Sequence, residues 1–503
     1  MPVGQSADQP LPRVPLVVPL ESRYGDLHTD PQLINAYAEK TEGGDFKVYQ
    51  RDGVAQYQTL TPPTGFNITN ALGQYVADTT HAGGASTDVY TFVSVYKNTL
   101  PTARGVYVYT NGASPVAIDT SIGGGGYVDA VAYSNSSQVQ IALLPVVAFD
   151  LHAAQIYVYN ADTNAVTLST FVGPAHPSLM ARGMVFLDQT IYVMDYTAKI
   201  YGSNLNDATI FDALNFIVAS DLPGAGKAIA RHESFVVALK ENSVEFFYDA
   251  ANPTGSPLSA LPNSTIHWGC VDGGSVQDIE GKLFWVARSK QASAFVAMLD
   301  HRQHSRISTE GVERLLDDFQ NPIDSFAFKD MGHLFYGFTS QGSNITLVYD
   351  LMQKIWYVWT DAKGNFWPWR SFVTSTTWTV SVQSTDDSLA ANTYQIDEEF
   401  ATDLGVAIPV DIYTGNYDSG SRRRDVLQRM DFIVDQQPGK LKVRYTEDDY
   451  KTWSNFREVD LNQKRPTLIN CGSFRRRAWN FRWQAGLPLR VEAVELTVIP
   501  GVA

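Results

Sequence analysis

Between residues 183 and 350 one arrangement of apolar and polar positions is written four times. The first copy is an apolar run (Gly183-Met184-Val185-Phe186-Leu187), a polar turn (Asp188-Gln189-Thr190) and a second apolar run (Ile191-Tyr192-Val193-Met194). The arrangement returns around Glu233, Glu280 and Met331, which places the turn centres 45, 47 and 51 residues apart. Each copy adds a third run, such as Val244-Glu245-Phe246-Phe247-Tyr248-Asp249. Most add a fourth: Ile266-His267-Trp268, Arg306-Ile307-Ser308 or Ile355-Trp356-Tyr357-Val358-Trp359. Short aromatic and β-branched runs between polar turns are strands. Four strands every 40 to 50 residues is the spacing of propeller blades. One such sheet cannot bury both faces, so the units must stack.

The same texture extends back to about residue 66 and predicts six blades over about 66–361. Strands remain at Ser371-Phe372-Val373 and within 377–382; joined to a 46–60 hairpin turning at Arg51-Asp52-Gly53, they offer a seventh, ring-closing blade. From Val406 the strands become longer and more widely spaced, as in Val410-Asp411-Ile412-Tyr413 and Val491-Glu492-Ala493-Val494-Glu495-Leu496, without helical stretches. That predicts a β-sandwich or jelly-roll-like module. Residues 1–20 hold five prolines and are extended. The expected organisation is an all-β chain: a proline-rich arm over 1–45, a propeller over 46–405 with an irregular stretch at 362–405, and a sandwich over 406–503.

Charge separates the two modules. The chain carries a net −15; residues 406–503 hold 16 Lys+Arg against 12 Asp+Glu, leaving 22 against 41 in the rest. So acidic a body is a poor general nucleic-acid surface. Two cysteines some 200 residues apart, Cys270 and Cys471, form no metal or disulfide framework and are expected as buried thiols of a protein made in a reducing cytoplasm. Met1 to Pro19 lacks the apolar core of a signal peptide, and no run reaches the length of a membrane-spanning helix.

Candidate chemistry is sparse. Pro223-Gly224-Ala225-Gly226-Lys227-Ala228 has Asp221 and Ala228 where a phosphate-binding loop needs Gly and Ser or Thr, and reads as a turn between blades. Gly123 to Gly126 has no following helix to bind an anion. His301 and His304, beside Asp300, sit in a turn without a second ligand pair. The carboxylate pairs Asp317-Asp318 and Asp448-Asp449 are adjacent on strands and therefore diverge. Thr446-Glu447-Asp448-Asp449-Tyr450-Lys451-Thr452-Trp453 resembles the Asp-box turn of sialidases and other β proteins, a structural element in which Thr446, Asp448, Thr452 and Trp453 hold the key positions; Tyr450 stands where the box has Gly. The clusters Arg422-Arg423-Arg424 and Arg475-Arg476-Arg477 are candidate partner-interface residues, with no aromatic platform to support nucleic-acid stacking. No catalytic, cofactor or metal site is indicated, and no enzyme activity.

In order along the chain, Leu33-Ile34-Asn35-Ala36-Tyr37-Ala38-Glu39-Lys40, Lys47-Val48-Tyr49-Gln50-Arg51-Asp52-Gly53-Val54, the stretch Ser234 to Asp249, Gly269-Cys270, Leu283-Phe284-Trp285, Arg306-Ile307-Ser308-Thr309 and the Arg-rich tail resemble the packaged-DNA stabilisation proteins of short-tailed phages (podoviruses), their tail hub or nozzle. The resemblance covers most of the chain. It implies a virion protein, assembled in the host cytoplasm as a homohexameric ring below the portal and its adaptor, the head-to-tail connector. Such a ring extends the DNA channel for genome ejection, retains packaged double-stranded DNA without reading its sequence, and docks tail fibres or tailspikes and a needle or plug. Charge and composition fit such a ring: acidic blade surfaces are expected to line the channel, the basic sandwich to contact partners, and the proline-rich arm to strap onto a neighbour. Two other readings stand beside it: a glycan-binding or glycan-cleaving, sialidase-like propeller, and a cellular protein-interaction propeller.

Overall fold

The computed structural model describes residues 11–501 except 24, 26, 28–29, 82–83, 98–102, 136–137, 148–154, 173–176, 178, 291, 375–379 and 421–422. The four copies of the pattern are hairpins with two-residue turns. Leu187 pairs with Thr190, His232 with Phe235, Ile279 with Lys282 and Asp330 with His333. The residues at the turns, Asp188, Gln189, Glu233, Glu280, Gly281, Met331 and Gly332, have positive φ. This backbone matches the right-handed twist of the flanking strands.

Among the described residues, seven sheets with a four-stranded antiparallel core follow along the chain, four of them extended by further strands. Their innermost strands are Asn67–His81, Gly126–Asn135, Val185–Leu187, Gly226–His232, Gln277–Ile279, Ile323–Asp330 and Trp369–Thr374. Neighbouring inner strands touch in turn, through the short turn Gly273–Ser275 at the fifth sheet, and the seventh touches the first. The array therefore closes on itself as a β-propeller. In the seventh sheet Asn392–Asp397 pairs with Gly53–Thr59, so the outermost strand comes from the other end of the chain. Burial is densest on the second and third strands: Val236, Val237, Ala238 and Leu239 are wholly buried, as is Trp285.

Other details depart from the expectation. The expected 46–60 hairpin is split. Only Gly53–Thr59 enters the propeller, while Phe46–Gln50 pairs with Arg490–Ile499. Gly53 marks the fork, because a Cβ there would run into the backbone of Phe400 and Thr402. The outer strand of the fourth sheet is Leu258–Ala260, and Ile266 makes only an isolated bridge to Val244. Among the described residues one α-helix interrupts the β structure, Glu310–Asp317, capped by Thr309 whose hydroxyl accepts from the Val312 amide. Asp317 and Asp318 thus lie at a helix end, not on a strand.

Beyond the propeller, two sheets face one another. The first runs Ala36–Lys40, Phe46–Gln50, Arg490–Ile499, Asp425–Val434, Thr467–Ile469. The second runs Gln32–Ile34, Val410–Tyr413, Ala478–Trp483, Lys440–Thr446, Arg457–Asp460. Met430 and Phe432 of the first meet Val443 and Phe481 of the second in one buried cluster, with the Phe432 and Phe481 rings edge to face at 5.7 Å. This is a β-sandwich, but it draws strands from residues 32–50 that had been assigned to the arm and the propeller. Asn35, with φ of 54°, turns the chain from one sheet to the other. Gln32–Ile34 also contacts the sixth propeller sheet in parallel at Ile34 and Val358, so one sheet continues from propeller into sandwich.

The arm, where described, lies on its own chain. Leu496 donates to the Pro12 carbonyl and Val14 to that of Val494; Val14 and Leu16 are buried in the sandwich cluster. Farther on, the Leu20 and Ser22 carbonyls accept from Thr309 and Arg314 of the helix. Residues 12–22 are therefore a strap from sandwich to propeller within one chain.

Candidate functional site

The propeller axis is the first place to look for a site. Inner strands approach there closely enough that a Cβ at Gly183, where φ is +90°, would meet the Ile229 carbonyl. Cavities of about 690 Å³ and 480 Å³ share Arg182, Asp324 and Arg370 as lining residues, so charged side chains stand at the waist between them. Arg182 lies 3.5 Å from the centre of the Tyr127 ring and 3.3 Å from Asp129, whose other oxygen accepts from the Gly183 amide at 2.6 Å. Arg370 donates to the Ala71 carbonyl and sits 4.0 Å from Asp324. Burial, then the nearby Arg182, lowers the Arg370 pKa. Volumes of this size suit small molecules, not a duplex. The axis of a single propeller is a pinned, ion-paired waist.

The sandwich carries the predicted Asp-box-like turn. Asp448 Oδ1 accepts from the Thr446 hydroxyl at 2.8 Å and the Thr452 amide at 2.9 Å, while Oδ2 accepts from the Thr452 hydroxyl. Hydrogen bonds from Thr452 and then Thr446 lower the Asp448 pKa to about 2. Trp453 packs edge-on to Tyr413 beneath the turn and receives the Arg444 guanidinium 4.7 Å from its ring centre. Tyr450, in place of the box's glycine, keeps the positive φ (66°) and sends its hydroxyl to the Thr414 carbonyl at 2.6 Å. Both carboxylate oxygens of Asp448 are thus engaged within the turn.

The arginine clusters divide. Arg422 lies outside the described residues; Arg423 and Arg424 are exposed. Arg475 is exposed, and Arg476 pairs with Asp449 at 3.1 Å. Arg477 points inward, with its side chain 1% exposed. It donates to the Cys471 carbonyl at 2.6 Å, pairs with Glu447 at 2.5 Å and stacks 4.0 Å from the Tyr445 ring centre. Its placement as a surface interface residue is corrected: it ties the Arg-rich loop to the sandwich.

The remaining candidates stay apart. His301 reaches Glu233, whereas His304 meets the Trp268 ring edge to face. No group of three or more His, Cys, Asp or Glu is gathered for a metal among the described residues. Gly126 and Gly226 each open an inner propeller strand rather than a helix. Cys270 and Cys471 are both buried and free. Among the described residues, no helix is long and apolar enough to cross a membrane.

Sequence reading missed the junction between the two modules. Arg51 has a side chain 1% exposed and grips Asp403 with both Nη atoms, at 3.0 and 2.6 Å. It also donates to Asn35 Oδ1 and the Thr360 carbonyl at 3.0 Å each and lies 4.9 Å from the Trp367 ring centre. Beside it, burial, and next the Asp330 carboxylate, push the Asp52 pKa up to about 9. The only signal was Arg51-Asp52-Gly53 inside an apolar run, which reads equally well as an exposed turn.

The family described as "Bacteriophage P22 Gp10, beta-propeller", a phage stabilisation family, matches residues 106–400, more than half of the chain and most of the propeller. No curated protein matches. Among solved structures, "YCF48 bound to D1 peptide" is 10% identical with a TM-score of 0.38, covering 69% of this chain and 96% of its own; the likeness is too slight to carry an argument. On the family match and the propeller that underlies it, this chain belongs to the bacteriophage P22 Gp10 β-propeller family of phage structural proteins.

Proposed function

We propose that this chain is the subunit of a tail-hub ring of six copies, placed below the portal adaptor around the path of the DNA. The observation that carries the reading is membership of the phage stabilisation family over the propeller. The ion-paired waist of each propeller, lined by Arg182, Asp324 and Arg370 between cavities too small for a duplex, supports a channel running between copies rather than through any one of them. Outside residues 406–503 the chain holds 22 Lys+Arg against 41 Asp+Glu, and a lumen of that sign repels phosphates and lets a packaged genome slide. The more basic sandwich, with Arg423, Arg424, Arg475 and Arg476 on its surface, suits contacts with the adaptor, fibres or spikes, and plug. The role is structural rather than enzymatic, and its place is the virion tail. The glycan reading draws no support from Asp448, whose oxygens are committed to the turn.

Cryo-electron microscopy of isolated tails tests this. The expected result is a ring of these chains with DNA on its symmetry axis. A chain found outside the tail, or as one copy off the axis, overturns it.

A further inference from the structure

Where the sandwich rests on the sixth propeller sheet, one histidine is shared between the two modules. Among the described residues, Ala36–Lys40 is an edge strand of its sandwich sheet, paired on one side with Phe46–Gln50. An open edge needs cover. The propeller supplies it. The Ala38 amide donates to the Tyr357 hydroxyl at 3.1 Å, and the Tyr37 ring meets those of His333 and Phe335 edge to face.

His333 has a side chain 4% exposed and stands between two carboxylates. Its Nδ1 lies 2.6 Å from Asp350, on the propeller strand Ile345–Asp350, and its Nε2 lies 3.4 Å from Glu39, on the sandwich strand. A neutral imidazole has one N–H and can donate to only one of them. With acceptors at both nitrogens, the ring satisfies both contacts only as the imidazolium. The other neighbours supply no competing cation. Asp330, in the same hairpin, acts on the ring by its charge and is hydrogen-bonded to Asp52 at the fork. Tyr37 packs from the sandwich side, and the Phe335 ring lies parallel at 5.6 Å. Burial pulls the His333 pKa down, but Asp350 and then Glu39 outweigh it and hold the pKa above its ordinary 6.5.

The two contacts are unequal. The Asp350 side chain is wholly buried, and its other oxygen accepts from the Met352 and Gln353 amides, so it is fixed. Glu39 is 37% exposed and can turn to water. When the ring loses one proton, the other stays on Nδ1, at the shorter and buried contact. Nε2 then turns a lone pair on the Glu39 carboxylate. We infer that His333 is a proton-operated latch, tying Glu39 of the sandwich to Asp350 of the propeller and releasing Glu39 as pH rises. Because the folded-state pKa is raised, the tie is fully present below about 6.5 and is lost as pH climbs through the raised value. Its release loosens the cover on the Ala36–Lys40 edge.

Nuclear magnetic resonance and hydrogen exchange on the full chain test the latch. With histidines labelled at Cε1, the His333 resonance should titrate above pH 6.5. It is assigned by its absence from His333→Gln or, should that variant not fold, by its proximity to the Tyr37 ring. Protection of the Ala38 amide, corrected for intrinsic exchange, should fall between pH 6 and pH 9. Glu39→Gln leaves the Asp52–Asp330 pair in place, so whatever that pair contributes is common to both proteins. The variant should lose most of the pH dependence, because an amide accepts from the protonated ring and donates to the neutral one. A His333 resonance that titrates below 6.5, or stays unchanged from pH 5 to pH 9, overturns the inference. So does an Ala38 response of the same size in Glu39→Gln.

Discussion

The propeller and the sandwich are both antiparallel β structures, yet they are assembled by opposite rules. In six of the seven propeller sheets the four core strands are consecutive along the chain. The sandwich takes strands from 32–50 and from 410–499 and interleaves them, so Val48 lies beside Val491. Local pairing closes short loops, whereas interleaved termini must close loops of more than 400 residues. Repeated hairpins are thus written into neighbouring residues, but the sandwich exists only as a relation between distant ones. The seventh sheet, closed by Gly53–Thr59, shares that dependence.

The largest way to break this contrast is at the point where the two regions are riveted. Replacing Arg51 with Ala leaves Asp403, Asn35 and Trp367 without their shared partner. Breaking a buried ion pair from one side costs about 3–5 kcal/mol. Calorimetry should show propeller and sandwich transitions both moving down. Movement of only one would mean that the junction is not shared.

Next is the sandwich core. Phe432→Ala should cost about 3–4 kcal/mol. The loss should register in the sandwich while the propeller sheets keep their hydrogen-exchange protection. Loss of protection at Val236 to Leu239 would erase the proposed independence of the local repeat.

Titration sharpens the junction further. Asp52 has its pKa raised by burial and by Asp330, to about 9. For a carboxyl that is harder to ionise when folded, stability is fully present below its ordinary range near 4 and is lost as pH rises towards 9. Asp52→Asn should therefore raise the melting temperature at pH 8, by a free energy on the order of 1 kcal/mol, and by less at pH 5. An equal effect at both values would refute the assignment. Asp448 has the opposite sign. Its lowered pKa contributes stability that is present above about 4 and lost as pH falls through about 2.

The mildest probe uses the native thiols. Burial raises the pKa of Cys270, on the fifth propeller sheet, to about 12, and it also raises that of Cys471 in the sandwich. Neither should react with a thiol reagent in the native protein. In rising denaturant Cys471 should label first, because its surroundings depend on distant segments; prior labelling of Cys270 would reverse the comparison.

The same division decides what the sequence made legible. The turns at Glu233 and Glu280 could be found because alternating apolar runs and polar turns are local properties. The outer strand of the fourth sheet was misplaced onto Ile266-His267-Trp268 because outer strands bury little, and Leu258–Ala260 has only one buried residue of three. The 46–60 hairpin looked whole because nothing in Phe46–Gln50 says that its partner is Arg490–Ile499. In Arg475-Arg476-Arg477 three like charges suggested one surface. The backbone, however, starts pairing at Arg477, bridged to Tyr417, and turns that side chain inward onto Glu447. Arg51 was hidden for the converse reason, a buried charge whose partners Asp403 and Thr360 lie more than 300 residues away.

The strand Gly53–Thr59 has a consequence for the timing of synthesis. It leaves the ribosome early, but Asn392–Asp397, its partner, lies more than 300 residues later. At roughly 5–20 residues per second, the first strand waits on the order of 20–70 s before the last sheet can be completed. The outer face of the sandwich waits longer still, until Arg490–Ile499 has emerged. A truncated chain would own neither a closed propeller nor a complete sandwich. If the chain assembles as the proposed ring, completion of translation would act as the licence for assembly, keeping unfinished subunits out of it.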